Sequence, residues 1–333
     1  MLLNEIECYA NENVRIDTIY IGGGTPSLLT AVQLTSLFGI IKRTFTLEEN
    51  AEVSIELNPE SATEDLFIHL KKFGVNRLSF GVQSFIDEEL SAIGRLHNAK
   101  TAAQIITLAG KYFDNINLDL MIGLPYQTKE SFELSLKKAL SLPIKHISVY
   151  SLIVEENTPI FKMIENGLKV PDEDETVEMY DLAESILKDN AFYRYEISNF
   201  AKKGFECKHN LNCWNFKEYI GVGAAAHSFF KNERYSNPES IEGFSDKNNR
   251  ILYKGNSKDR IYEYIMLALR TSKGIDKHAF RERFGIDFDQ TFSRVLMKDE
   301  IKLTCENTNE IFKIKDEFLY VSNSIIVDFL EEL

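Results

Sequence analysis

The sequence predicts an α/β protein built from parallel β–α units, and three observations support this. Short β-prone runs alternate with amphipathic helical stretches over the first half of the chain, which is typical of parallel βαβ units. The runs are almost continuously apolar, as in strands buried on both faces of a sheet. Several runs end in glycine or polar residues, where a β/α barrel carries its functional loops. We therefore expect a β/α barrel with a functional rim.

The predicted elements follow one another in the order that such a barrel requires. The β-prone runs occupy residues 17–21, 52–57, 77–81, 117–122 and 146–152. The amphipathic helical stretches lie between them, at residues 31–44, 63–73, 99–112 and 129–140. We expect these helices to connect the strands as parallel crossovers.

The chain changes character after residue 230, so we divide it into residues 1–230, 231–257 and 258–333. The middle segment is polar, rich in Asn and Ser, and predicts a connector. The last segment predicts helices at 261–269 and 277–284 and strands at 311–314 and 317–321. This is the outline of a small winged-helix-like domain. Its acidic tail at 328–333 favours a packing or partner-binding module over a DNA-binding one.

Composition and charge exclude several classes of protein. The net charge of −13 over 333 residues argues against a nucleic-acid partner, because no basic face is available to neutralise phosphates. No apolar run approaches the roughly 18 residues of a membrane span, and the N-terminal residues lack the basic start of a signal peptide. Four scattered cysteines do not make a disulfide framework. We expect a soluble, cytoplasmic protein.

The most informative segment is the first predicted strand, which ends in Gly22, Gly23 and Gly24 and continues into Thr25. Residues without side chains let a ligand approach the backbone and its N–H groups closely. The alternative is that the three glycines form a loose turn.

Four polar residues near the predicted rim each have a functional and a structural interpretation. Glu56 either is a surface carboxylate or pairs with a ligand ammonium group. Gln83 either offers donors and an acceptor to a ligand or is merely placed outward by strand alternation. Arg95 is either solvated or a fork for a carboxylate. Asp119 lies inside an apolar strand, where a carboxylate is costly unless it is paired. We expect Asp119 to have a ligand or cation partner.

The segment from Cys207 to Trp214 is the second candidate site. His209 and Cys213 lie between those two residues. The residue types allow a loop with two ordinary thiols, a heme site with an imidazole or thiolate ligand, or a zinc site, although the spacing fits no common zinc finger.

Six segments, in order, resemble the HemW heme chaperones, a family of radical S-adenosylmethionine (SAM) proteins related to oxygen-independent coproporphyrinogen III oxidase. These segments are residues 20–27, 56–61, 77–85, 94–98, 117–128 and 195–228. The similarity spans about residues 1–230, and the last domain resembles the family's C-terminal module. The family's HNxxYW pattern matches at His209, with Cys213 at the usual tyrosine position, and it favours the chaperones over the oxidases.

The resemblance implies a partial (β/α)6 barrel that binds SAM and heme. Its carboxylates would suit the ribose hydroxyls or the ammonium group of SAM, and His209 would ligate heme, with Cys213 as an additional thiolate. No residue is assigned a catalytic role. The residues implied for SAM are Gly23, Gly24, Thr25, Glu56, Gln83, Arg95 and Asp119. The implied partners are heme and heme-accepting proteins such as respiratory enzymes, with transient membrane-surface contact and a homodimer.

One departure from the family is large. Members open with a strand and a CxxxCxxC loop that holds a [4Fe–4S] cluster, whereas the cysteines here are Cys8, Cys207, Cys213 and Cys305. We therefore expect no radical formation by this chain as written, an unpaired edge on the strand at 17–21, and a truncated version of a longer protein. The alternatives are an enzyme like coproporphyrinogen oxidase and a cluster-free descendant.

Overall fold

The computed structural model describes residues 1–156, 158–244 and 249–332. Its largest unit is a seven-stranded sheet in the order β1-β2-β3-β4-β5-β7-β6. The first five strands pair in parallel, and the last two pair antiparallel. The strands are β1 (Arg15–Ile21), β2 (Thr46–Leu57), β3 (Arg77–Gln83), β4 (Asn115–Ile122), β5 (His146–Ser151), β6 (Tyr193–Arg194) and β7 (Asn199–Ala201). The five strands predicted between residues 17 and 152 are confirmed, with shifted ends.

Helices connect these strands and flank the sheet. They are α1 (Leu2–Glu7), α2 (Ala31–Thr44), α3 (Glu64–Phe73), α4 (Asp87–Ala92), α5 (Ala99–Ala109), α6 (Lys129–Leu140), α7 (Pro159–Glu165), α8 (Glu173–Asp189) and α9 (Lys208–Trp214). The four predicted helices are confirmed as α2, α3, α5 and α6. Each begins after a Thr or Asn whose side chain accepts a backbone N–H of the first turn, which stabilises a helix start by about 1 kcal/mol.

The apolar core lies between the sheet and these helices. Phe67 of α3 packs edge-on against Phe80 of β3 and against Phe113 after α5. Leu78 and Leu118 are fully buried in adjacent strands. Successive residues of the central strands β3 and β4 are buried. Both faces of these strands are therefore covered, as their composition predicted.

Strand β1 forms one edge of the sheet, as expected. Within the described part of the chain its single strand partner is β2. Its side chains from Ile16 to Ile21 are nevertheless only half exposed, because the open side of β1 faces a cavity whose far wall is the chain at 218–227.

The predicted connector at 231–257 contains regular structure, which corrects that part of the sequence interpretation. The chain forms a second, antiparallel sheet in the order β10-β9-β8. Its strands are β8 (His227–Phe230), β9 (Glu233–Ser236) and β10 (Ile251–Tyr253), and α10 (Ile241–Phe244) lies between the last two. The polar composition hid these strands, which are held by a few aromatic contacts such as Arg250 over Tyr235.

The C-terminal part contains a three-stranded antiparallel sheet, β11-β13-β12, packed among helices. Its elements are α11 (Ser257–Ala268), β11 (Ile275–Asp276), α12 (Lys277–Phe284), α13 (Phe288–Thr291), α14 (Ser293–Met297), α15 (Asp299–Thr304), β12 (Cys305–Asn307), β13 (Ile311–Ile314) and α16 (Ser322–Glu332). Its core is aromatic, with Phe288 against Phe292, Phe312 and Phe329.

The strand predicted at 317–321 is wrong, because residues Asp316–Val321 form a 3₁₀ helix. Leu319 is fully buried there, while the next residue, Tyr320, stacks on Tyr180 of α8. A β-prone composition is a weak preference that such tertiary contacts override.

No helix in the described ranges is both long enough and apolar enough to cross a membrane.

Helix α1 is fastened to the far wall of the cavity through one buried carboxylate. Glu5 is 7% exposed and accepts hydrogen bonds from the Gly223 N–H at 2.9 Å and from Asn237 Nδ2 at 2.7 Å. Arg250 Nη2 lies 3.4 Å from the same carboxylate. Glu5 therefore ties the N-terminal helix to the glycine-bearing wall and to the second sheet.

Replacing Glu5 with Ala should lower the free energy of unfolding by about 2 kcal/mol, because Arg250 and Asn237 would each lose one of their hydrogen-bond partners in a largely buried place. The matched control is Glu7→Ala, at an exposed position of the same helix, which should change stability by less than about 0.5 kcal/mol. Urea unfolding followed by circular dichroism measures both variants. Equal midpoints for the two would contradict this role of Glu5.

Candidate functional site

The candidate site is a cavity of about 1020 Å³ beside the open edge of β1. Strand β1 forms one wall, helix α9 and the chain at 218–227 form the opposite wall, and α1 closes part of it. The predicted residues that line the cavity are Gly23, Gly24, Glu56, His209 and Cys213. Two groups that the sequence could not place together, one from the strand rim and one from the 207–214 segment, therefore share one space.

The glycine turn after β1 encloses the Glu56 carboxylate. Glu56 accepts a hydrogen bond from the Tyr20 hydroxyl at 2.9 Å and from the Gly23 N–H at 3.1 Å. A Cβ at Gly22 would lie 2.9 Å from the same carboxylate, and Gly23 and Gly24 have positive φ angles of 77° and 60°. Close approach and left-handed backbone both require glycine here. The turn is therefore a specific structure, with Tyr20 as a partner that sequence reasoning missed.

Gln83 and Arg95 meet at a second point of the rim, above Gly81. A Cβ at Gly81 would lie 3.1 Å from Arg95 Nη2 and 3.2 Å from Gln83 Nε2. The pairing of β3 with β4 shifts register between Gly81 and Gln83, and Gln83 has a φ of 73°. This left-handed backbone conformation costs a residue other than glycine about 1–3 kcal/mol, so the surrounding structure must stabilise Gln83 in it.

The loop that carries Arg95 is anchored by His97, which sequence reasoning did not select. His97 is buried, and its Nε2 lies 3.1 Å from the Val82 carbonyl oxygen. Its Nδ1 lies 3.1 Å from a carboxylate oxygen of Glu60. His97 therefore holds the Arg95 loop against the end of β3.

Asp119 finds its partners within the chain. Asn117 Nδ2 donates a hydrogen bond to Asp119 at 2.7 Å. Burial raises the pKa of Asp119 to about 6, while hydrogen bonds from Ser148 and Asn117 oppose that rise. The carboxyl group is therefore largely ionised at pH 7 and can still accept hydrogen bonds from a ligand. The expected ligand or cation partner of Asp119 stays a prediction.

Thr25 lies apart from the cavity lining, as do Gln83, Arg95 and Asp119. It precedes a 3₁₀ turn at Pro26–Leu28, with φ −139° and ψ 81° and no capping hydrogen bond from its side chain. Its predicted contact with SAM stays a prediction.

Helix α9 presents His209 and Cys213, one turn apart, to the cavity. The His209 ring stacks on Tyr20 with 5.0 Å between ring centres, and its Nδ1 lies 3.1 Å from Thr18 Oγ1. Burial lowers the pKa of His209 below 6.5, against the opposing effect of the Glu52 carboxylate. Burial also raises the pKa of the Cys213 thiol. At pH 7 the imidazole is therefore neutral and the thiol protonated, which makes His209 the better metal ligand.

A chain of buried polar groups connects β4 and β5 with the start of α9. His146 is fully buried and contacts Asn117 Oδ1 at 2.5 Å and the Tyr195 hydroxyl at 2.7 Å. The Tyr195 hydroxyl also accepts the Cys207 N–H at 3.2 Å. Burial holds the pKa of His146 well below its ordinary value, so the ring is neutral. This chain links Asn117, the partner of Asp119, to the start of α9.

The His, Cys, Asp and Glu side chains of the described residues do not form a metal or iron–sulfur site. Across the described ranges no three or more His, Cys, Asp or Glu side chains come together in a way that could hold a metal ion. Cys8 is exposed, Cys213 lines the cavity, and Cys207 and Cys305 are buried in separate clusters. A [4Fe–4S] cluster needs several cysteine thiolates around one point, so these residues do not fit it.

Comparison with known proteins places the chain in a family. The model of the Radical SAM superfamily matches residues 1–139, and that of the HemN C-terminal domain matches residues 256–317. The fold is shared with coproporphyrinogen III oxidase from Escherichia coli, described as a radical SAM enzyme, at a TM-score of 0.84 and 21% identity. That match covers 100% of this chain and 82% of the oxidase.

Two curated relatives, both named heme chaperone HemW, cover almost the whole chain. The protein from Bacillus subtilis is 37% identical over 96% of this chain and 86% of its own length. The protein from Lactococcus lactis is 33% identical over 99% of this chain and 88% of its own length. Identity of this size over nearly the full length of both partners shows that the chain belongs to the HemW family of radical SAM proteins.

Proposed function

We propose that this protein binds heme at His209 in the cavity beside β1 and passes it to heme-requiring proteins. The observation that carries the proposal is the placement of a neutral, half-buried imidazole on the wall of a cavity of about 1020 Å³. Pockets for small molecules and cofactors are usually about 300–1,000 Å³, so the cavity is at the large end. Relatives named as heme chaperones support the cargo.

The walls of the cavity suit a flat apolar ligand with a metal centre. Apolar residues also line the cavity, including Leu37, Ile41 and Phe45. Tyr20 holds the imidazole by stacking. Because the Cys213 thiol is protonated at neutral pH, Cys213 contributes contact rather than a thiolate ligand in this proposal. Delivery to respiratory enzymes, membrane-surface contact and a homodimer remain expectations of the family resemblance.

The same proposal assigns the strand rim to SAM, which radical SAM proteins use as a family. When bound, SAM supplies a sulfonium cation that links an amino-acid end to an adenosine end. No atom of the described residues lies within 4 Å of where a Cβ would stand at Gly23 or Gly24, so the turn leaves its backbone open to a ligand. Glu56 and Asp119 offer carboxylate acceptors for donors of the ligand. Gln83 and Arg95 offer donors from one point. These residues therefore fit SAM as a bound ligand.

Replacing His209 with Ala should weaken heme binding at least tenfold, because the proposed iron ligand is removed. Titration of the purified protein with heme, followed by the Soret band, measures the affinity. His278→Ala is the matched control, since that side chain is 81% exposed on α12 and should leave binding unchanged. Cys213→Ser should also bind almost normally. Wild-type affinity in the His209 variant would refute the proposal.

Heme affinity should stay constant between pH 7 and 8 and fall only below pH 6.5, the ordinary pKa of histidine, because burial lowers the pKa of His209. A proton and the iron compete for the same nitrogen lone pair, so binding weakens once the ring protonates. Repeating the Soret titration at several pH values measures this profile. The acid loss should disappear in the His209→Ala variant; an identical acid loss in both proteins would assign it to another group.

Gly22→Ala should weaken SAM binding about tenfold, which corresponds to losing one hydrogen bond of about 1.4 kcal/mol. The added methyl group would lie 2.9 Å from the Glu56 carboxylate and displace it from the Gly23 N–H. The matched control is Gly39→Ala in α2, where the nearest atom is the Arg43 Nη1 at 3.7 Å. Isothermal titration calorimetry with SAM compares the two, and equal affinities would contradict the assignment.

A further inference from the structure

Glu52 is the second acidic residue on the inner face of β2, and the proposed function assigns it no task. It lies four residues before Glu56 on the same face of the strand, about 13 Å away toward the N-terminal end of β2. In the pairing of β1 with β2, Glu52 is opposite Thr18. Both side chains therefore point toward α9, one from each strand.

The Glu52 carboxylate holds the start of α9. One oxygen accepts the Lys208 N–H at 3.0 Å, and the other accepts the His209 N–H at 3.0 Å. The Cys207 thiol also lies 3.4 Å from that second oxygen. Cys207 is the N-cap residue of α9 and makes no capping hydrogen bond with its own side chain. A strand residue about 155 positions earlier in the chain thus does what a local N-cap residue does elsewhere.

Thr18 contacts the His209 ring through its hydroxyl group. Its hydroxyl lies 3.1 Å from His209 Nδ1, and Tyr20 stacks on the ring from the same strand. If Nδ1–H donates to Thr18, the lone pair is on Nε2, which is the nitrogen left for a ligand. Groups of this kind around a metal-binding histidine fix its tautomer and orientation.

We propose that Glu52 and Thr18 are positioning residues for His209: Glu52 fixes its backbone at the start of α9, and Thr18 fixes its ring so that Nε2 faces the cavity. This inference rests on the proposed function in so far as heme is the ligand that His209 receives. Its structural part concerns the heme-free protein and can be tested without heme.

The first experiment measures heme affinity of Glu52→Gln, which keeps the size of the side chain but loses the charge and one of the two acceptor oxygens. Loss of such a supporting group typically weakens metal affinity about 10- to 100-fold, so we expect at least a tenfold loss. Glu49→Gln, at an exposed position of the same strand, is the matched control and should bind as the wild type does. An unchanged affinity for Glu52→Gln overturns the proposal.

A double-mutant cycle with His209→Ala separates positioning from general damage. If Glu52 acts through His209, adding Glu52→Gln to His209→Ala should weaken heme binding no further. An equal loss in both backgrounds would show that Glu52 has a merely structural role, and it would overturn the proposal.

The second experiment uses the protein without heme, with ¹⁵N-labelled histidine observed by NMR. The wild type should show His209 protonated at Nδ1, whereas Thr18→Val should shift the ring toward a mixture of tautomers. Glu52→Gln should speed amide hydrogen exchange at Lys208 and His209 at least tenfold. Unchanged spectra and exchange would overturn the positioning roles. A wild type that binds no heme would instead overturn the proposed function, and the NMR result would still decide the positioning.

Discussion

The parallel pairing of β1 with β2 is the constraint on which the candidate site depends. Because Thr18 lies opposite Glu52 and Tyr20 opposite Ser54, alternate residues of both strands face the cavity together. Side chains alternate between the faces of a strand, so a slip of β1 by one residue would turn Thr18 and Tyr20 away from Glu52 and Glu56. The glycine turn after β1 also owes its position to this register. This one pair of strands thus positions Glu56 at the rim and the start of α9 beneath it.

Three carboxylates near the candidate site are stabilised by hydrogen bonds from the protein itself. Glu56 accepts from the backbone at the rim, Glu52 accepts from the start of α9, and Asp119 accepts from an amide. Fixed donors of the protein replace water around each carboxylate, and these hydrogen bonds offset the free-energy cost of burying its charge. Among them lies Arg77, which is 2% exposed and whose Nε and Nη1 have no hydrogen-bond partner in the described residues. The cationic charge of Arg77 offsets the surrounding acidic groups through space.

Sequence reasoning found the residues whose chemistry is unusual for their local pattern. A carboxylate inside an apolar strand, such as Asp119, and a histidine between two cysteines, such as His209, attract notice in any sequence. The supporting residues were missed because nothing local distinguishes them. Thr18 is an ordinary strand threonine, His97 an ordinary loop histidine, and Glu52 lies in a run of acidic residues where solvent exposure is the usual expectation. Their partners are 15 to 191 positions away.

The sequence by itself determined the order of strands and helices between residues 17 and 152, since apolar periodicity and helix-capping residues are local properties that act within a few positions. It also determined the family, through motifs in a fixed order. Only the tertiary structure decided that residues 231–257 form a sheet, that 316–321 form a 3₁₀ helix, and that the rim and α9 share one cavity. Those outcomes depend on contacts between distant segments, whose free energy comes from burial and pairing rather than from the preference of any residue for a local conformation.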